Sequence, residues 1–425
     1  MPPHDTDPQE RMRWVASIIA VLLQYIVLGV MMHIAPQYIK EDLHTSALSG
    51  RAWLNELLVG HPDRIYIALG MRQHVFLALV FQIHALGYME AQTAQIGLDE
   101  SLAIFLYTCV TGLAIDHVAE RFQHSHTKIS QKSLTSCHHL NSIQNMFASQ
   151  QPMTLLLRRY VRIQSGGHTF GMCWVLSMEL ILIVPHRQKS FIRHAIGKGV
   201  TQNCLAAVSF DMRFLFFFSG WDGCASDASM YNNARLAGFA IPPGKCYLAD
   251  AGFGICDALL IPYRSTWYHL AEWARWAQHS QNFKELYNLR HASARNVVER
   301  IFGVVKHRWT ILTRAPHYNM AAQSKIPSAL IALHNFILEH DETDLNRWIG
   351  KEKALDNLMG VYCDDEIDFG RLATSLNVTP VEKRCAEGAQ DQIAQAMWDD
   401  YQQYLADQMQ VDHDYYGDMQ VEAVD

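Results

Sequence analysis

At 425 residues the chain has room for two domains, and its 49% hydrophobic content is that of a globular protein. The net charge of -7 hides an asymmetry: residues 341–425 carry 20 acidic and 6 basic side chains, whereas the first 340 residues carry 29 basic against 22 acidic. The basic body fits a polyanionic partner and equally fits plain solubility, while the absence of any Cys-x-x-Cys pair among the nine cysteines argues against a zinc ribbon.

An odd cysteine count without tight spacing suits a reducing compartment. Residues 14–39 contain no Asp, Glu, Lys or Arg. The run WVASIIAVLLQYIVLGVMMHI is long enough to span a bilayer, which takes about 20 residues. Arg11 and Arg13 before it fit a cytoplasmic N-terminus. Gln24, Tyr25 and His33 interrupt the run, so a helix buried in the protein or facing a partner is the competing reading. No small-residue cleavage site follows clearly, which disfavours a cleaved signal peptide. Residues 1–41 are therefore set apart as an apolar N-terminal helix, with a membrane anchor through residues 14–35 as the alternative.

Residues 42–160 read as a helical domain, with loop signals at SGR and GHPDR. Within it, Asp99 can cap a helix running to about Val110, and Gly112 ends it. AIDHVAERF makes a short second helix with Ile115, Val118 and Phe122 on one face. QHSH is a turn, and the polar SHTKISQKS follows, with Lys128 in it. This is helix-turn-helix spacing over about residues 98–135, with the last helix available to a DNA groove. An ordinary helical hairpin satisfies the same pattern. Residues 136–172 show little pattern.

NCLAAVSF and RFLFFFSG, split by Asp211-Met212, predict a hairpin. A glycine-rich loop, GWDGCASD, then leads into a helix, and GKCYLADAGF is a short strand ending at Asp250. Asp227 and Asp250 both lie where an apolar segment gives way to a loop; there they can converge on a metal or simply form turns. The long segment through NLRHASARNVVERIFGVVKHRW is largely helical, and IPSALIALHNFILEHD is a further helix. On a helical wheel Val297, Val298, Ile301, Val304 and Val305 share one arc, while Arg295, Glu299 and Lys306 lie opposite. Glu299 can bind a metal beside a phosphate backbone, or form an i,i+4 pair with Arg295 worth a few tenths of a kcal/mol. Strands first and helices around them predict a mixed α/β (α+β) domain over residues 165–340. Residues 341–425 form an acidic tail with one helix, DQIAQAMWDDYQQYLADQM, before an end too acidic to fold alone.

Taken in order, GWDGCASD, YLADAGF followed by IPYR, NLRHASARNVVERIFGVVKHRW and ALHNFI resemble the PIF/Harbinger transposase-derived nucleases of the DDE endonuclease superfamily, over about residues 45–340. The resemblance implies an RNase H-like nuclease domain and three carboxylates that bind two divalent ions, Mg²⁺ or Mn²⁺, for in-line attack on a DNA phosphodiester. Residue by residue it carries Asp227 and Glu299 over as metal ligands and catalytic groups, with Asp250 as a structural or supporting aspartate. It places phosphate contacts at Arg295, Lys306 and Arg308, beside Lys128 of the helix-turn-helix. DNA as partner, a separate DNA-binding subunit and a nuclear location follow from the same resemblance.

One ligand is missing. The family's first aspartate sits in a strand written roughly Gly-Ala-Leu-Asp-Gly-Thr-His, shortly before KGVTQNCLAAVSF. Here that place holds Trp174-Val175-Leu176-Ser177-Met178-Glu179-Leu180-Ile181. Back-translated as TGG GTG CTC TCG ATG GAA CTC ATA and read two bases further on, those residues spell Gly-Ala-Leu-Asp-Gly-Thr-His. Both glycines follow from the code whatever synonymous codons are used; the other five need permitted wobble choices. Residues 165–183 are thus expected to be translated out of frame, with the frame restored by VPHRQKS. A genuine apolar strand that replaced the original is the alternative. As written, Met178 stands at the first-ligand position, and a thioether is a poor ligand for a hard cation. Glu179 is adjacent, but one residue along a strand points to the other face. The expectation is weakened metal binding and little or no DNA cleavage.

Overall fold

The computed structural model describes residues 7–38, 42–88, 95–150, 173–184, 200–222, 226–241, 246–256, 258–264, 280–314, 320–349 and 378–421. The chain divides into two units, Met1–Ser49 and Gly50–Asp425. The first contains α1, Pro8–Tyr38. Its 31 residues hold no proline between Pro8 and Pro36, and its large apolar side chains from Met12 to Ile34 are exposed on every side.

The second unit opens with helices α2 (Gly50–Val59), α3 (Pro62–Leu69), α4 (Gln73–Ala85), α5 (Leu98–Thr111), α6 (Ile115–Phe122) and α7 (His126–Gln150). The expected punctuation is largely present. Pro62 starts α3, where a missing N–H costs nothing. Gly70 and Gly112 close α3 and α5 in the left-handed conformation, at φ 75° and 59°. The cap of α5 is Gly97 and not Asp99; Asp99 accepts from the Glu100 N–H and pairs with Arg51. In α6, Val118 and Phe122 are buried and Ile115 is half-buried.

Helix α7 extends well past the expected polar helix. Ile129, Ser133, Ser136, Cys137, Leu140 and Ile143 recur at helical spacing and are all buried. Small residues form much of that face, which allows close approach to α5, where Ser101 and Ser136 hydroxyls meet at 3.2 Å. The same helix also packs against α10, Lys325–His340. A face of α7 is therefore core, shared with a helix from the far end of the chain.

The sheet has five strands, β1 (Cys173–Val184), β2 (Val200–Val208), β3 (Phe214–Asp222), β4 (Cys246–Leu248) and β5 (Leu259–Leu260). Their order is β3-β2-β1-β4-β5. Pairs β1/β2 and β2/β3 are antiparallel, and β1/β4 and β4/β5 are parallel, so only β2 runs against the others. The predicted hairpin is β2–β3, with its turn at Asp211-Met212 and Met212 at φ 61°. One face of the sheet is covered by α8 (Asp227–Leu236): Leu205, Ala207, Met230, Tyr231, Tyr247 and Phe253 belong to one buried cluster.

Helix α9 (Phe283–Arg308) runs past β1 and buries the expected arc of Val297, Val298, Ile301, Val304 and Val305. Asn282 caps it, accepting from the Glu285 N–H at 2.9 Å. Helix α10 packs on β3, where Asn335 bonds both the N–H and the carbonyl of Phe214, at 2.9 and 2.7 Å. Buried His334 donates from Nε2 to the Met212 carbonyl at 2.9 Å.

The tail helix α11 spans Pro380–Val421, starting before and ending after the segment read from the sequence. Thr379 and Glu382 form a reciprocal capping box, at 3.2 and 2.7 Å, ahead of Pro380 in the first turn. Its Ala386, Ile393, Ala394 and Met397 are buried, it packs against α9, and the Tyr263 hydroxyl donates to Asp391 at 2.6 Å. The acidic residues to Val421 continue this helix, in place of the expected unstructured end. Cys246 is half of a disulfide, whereas Cys109, Cys137 and Cys385 are free thiols.

Candidate functional site

The sheet order decides which acidic residues stand near Met178. Val175 of β1 is paired with Leu248 of β4. Met178 lies three residues beyond that pair on β1, and Asp250 two residues beyond it on the neighbouring strand. Adjacent strands are about 4.8 Å apart, so the two backbone positions are close neighbours. On its other side Met178 pairs with Leu205 of β2, and Glu179 pairs with Cys204.

Asp227 stands elsewhere. It opens α8 after β3, and β3 is the edge strand, two places from β1. Ser226 caps that helix, accepting from the Ser229 N–H at 3.4 Å. A carboxylate in the first turn also complements the helix dipole, so the residue type has a structural reason to be there.

Helix α9 brings its charges to the end of β4. Arg295 Nη1 lies 3.3 Å from Asp250 Oδ1. Glu299, one turn on, is exposed and makes no ion pair with Arg295. The i,i+4 pair weighed from the sequence is replaced by one between α9 and the strand end. Arg264 adds a second cation: its guanidinium donates to the Ala251 carbonyl at 3.1 Å, next to Asp250. Its IPYR segment was part of the motif set, yet only the fold shows that this arginine returns to Asp250.

The remaining cations divide. Lys306 is half-buried, its ammonium 6.0 Å from the centre of the Phe302 ring. Lys128 is on α7 and hydrogen bonds Gln95. Arg308 is a correction: its side chain is 1% exposed and pairs with Asp344, also 1% exposed, so it is closed to a phosphate. Asp344 further accepts from the Tyr66 hydroxyl at 3.2 Å, which ties α3 to the end of α9.

A two-ion site needs three converging carboxylates. Among the described residues no group of three His, Cys, Asp or Glu side chains is placed to hold a metal ion. Asp250 is engaged by arginine, Glu299 is exposed one turn along α9 from that arginine, and a methionine occupies the strand between β2 and β4. As written, the residues do not fit a two-ion centre.

These elements define a helix-rich mixed α/β domain, with Asp250 and two arginines gathered at the end of its parallel strands. Residues 184–335 match the family model described as DDE superfamily endonuclease. Residues 45–141, covering α2 to α7, match a domain of unknown function (DUF8040). The endonuclease match supports the DDE superfamily, and with it DNA as the substrate class and divalent metal as the cofactor class of such enzymes. No curated protein and no solved structure matches the chain.

Proposed function

We propose that the chain derives from a PIF/Harbinger-type transposase nuclease with an RNase H-like domain, and that in the form written here it binds DNA without cutting it. The order β3-β2-β1-β4-β5, with β2 alone reversed, supports the RNase H-like reading. The observation that carries the loss of cleavage is Met178 on the central strand, one strand from Asp250. The register favours Asp250 as the surviving carboxylate nearest that position, with Glu299 kept from the resemblance, and Asp227 opens a helix after the edge strand. Arg264 and Arg295, both beside Asp250, are the side chains that meet a phosphate, each through a planar fork suited to it.

The limits of the family match support the out-of-frame reading of residues 165–183. The match begins at residue 184, where the frame is expected to resume, and the other ends at 141. Sequencing the transcript across codons 160–200 tests this directly. Gly-Ala-Leu-Asp-Gly-Thr-His in frame means that the natural protein has its first aspartate; Met178 as written means that it does not.

Function is tested by incubating the full chain with supercoiled plasmid and Mg²⁺ or Mn²⁺. The expected result is DNA retention that weakens steeply with salt and no nicking. Nicking that disappears in Asp250→Ala or Asp227→Ala overturns the proposal. A helix-turn-helix role for α6 and α7, a separate DNA-binding subunit and a nuclear location belong to the same reading. Lys128→Ala should lower the salt slope of DNA binding if α7 touches DNA.

A further inference from the structure

Helix α1 has no buried face, unlike α2 to α11, each of which buries side chains. Within Pro8–Ile34 its most apolar 18-residue stretch has a mean hydropathy of 2.4, and none of that stretch is buried. Successive residues on a helix point about 100° apart, so three in a row sample all sides. Val21, Leu22 and Leu23 are 48%, 56% and 55% exposed, and Ile26, Val27 and Leu28 are 60%, 56% and 54% exposed. A soluble docking partner covers one face, and helices that use one are amphipathic. An apolar surface on all sides is satisfied only by a surrounding apolar medium.

We propose that α1 is a transmembrane anchor and that its partner is a lipid bilayer. The length agrees: residues 14–38 lack Asp, Glu, Lys and Arg and lie within the helix. At 1.5 Å per residue they extend about 37 Å, enough to cross a hydrocarbon core of about 30 Å with some tilt. The ends agree as well. Trp14 follows Arg11 and Arg13 at one end, and Tyr38 precedes Lys40 at the other. Trp and Tyr favour the two membrane–water interfaces, and the arginines hold their end on the cytoplasmic side. Gln24 and Tyr25, near the middle, are polar but uncharged. The inference does not depend on the nuclease reading.

The test is synthesis of the full chain in the presence of phosphatidylcholine liposomes, followed by flotation and an alkaline carbonate wash. The expected result is flotation that survives carbonate and is released by detergent. Leu23→Arg should lower the ratio of floated to aqueous protein roughly a hundredfold, the factor for one arginine at the bilayer centre. A chain lacking residues 8–38 should stay aqueous and keep the thermal midpoint of the parent, which separates loss of the anchor from loss of folding. The proposal is overturned if the full chain stays aqueous without detergent, as monomer or soluble oligomer. It is equally overturned if carbonate strips it from the liposomes, or if protein expressed in cells lacks residues 8–38.

Discussion

Arg295 on the long helix α9 reaches Asp250 at the end of β4, at 3.3 Å. On the reading proposed above, that aspartate would face a cation supplied by the solvent; here the protein's own arginine supplies the charge. The arrangement predicts what restoring a third carboxylate does. In Met178→Asp, a second acidic group one strand away competes with Arg295 for the same space and offers hard oxygen ligands. Mn²⁺ affinity, read by calorimetry, should rise on the order of tenfold or more, because it follows the number of charged ligands. The gain should vanish in the double variant with Asp250→Asn. A gain that persists in the double variant places the site elsewhere.

The Arg308–Asp344 pair yields a prediction of a different kind. Both side chains are nearly inaccessible, and removing one member leaves the other charge buried alone. Arg308→Ala should cost about 3–5 kcal/mol of stability, seen as a large fall in the urea midpoint. The folded fraction should keep the DNA affinity and salt slope of the parent. A stable variant with weakened DNA binding would return Arg308 to the DNA-facing surface.

Some of this was legible in the sequence for plain reasons. The hairpin β2–β3 is two apolar runs around a short polar turn, and the valine and isoleucine arc of α9 repeats at helical spacing; both patterns are local. The extent of α7 was not legible, because its buried face uses Ser133, Ser136 and Cys137, which no hydrophobic pattern marks. Arg308 was misread because its partner lies 36 residues away, beyond the reach of a helical wheel. The relative standing of Asp227 and Asp250 depends on strand order. Strand β4 was legible in GKCYLADAGF, but β5 is two residues long and neither strand's neighbours can be read locally, so that order emerges only from the fold.

His334 gives the chain a pH dependence whose sign is fixed. Burial, reinforced by the charges of Arg308 and Arg213, lowers its pKa from 6.5 to about 3, against the opposing bond to the Met212 carbonyl. The folded pKa is depressed, so below pH 6.5 the unfolded chain takes up a proton that the folded chain refuses. The stabilisation is complete above pH 6.5 and is lost as pH falls towards 3, at about 1.4 kcal/mol per pH unit from this group. Urea midpoints between pH 7 and pH 4 should fall more steeply for the parent than for His334→Leu. Equal slopes would mean that His334 is accessible to protons in the folded state.

The requirement at Gly50 is steric and visible only in the fold. It begins α2 directly against α5 and α6. A methyl group there would meet the Glu100 carboxylate and stand 2.8 Å from the Phe122 carbonyl oxygen. Neither neighbour can give way cheaply: the Phe122 oxygen is backbone, and the buried Glu100 is held by His124 at 2.9 Å. Gly50→Ala should therefore destabilise the chain by about 1–3 kcal/mol, the usual cost of overpacking, although alanine is the better helix former. Thermal unfolding distinguishes the two effects by sign. A lowered midpoint confirms the close approach of α2 to α5 and α6, and a raised one would mean that helix propensity outweighs a contact looser than the structure shows.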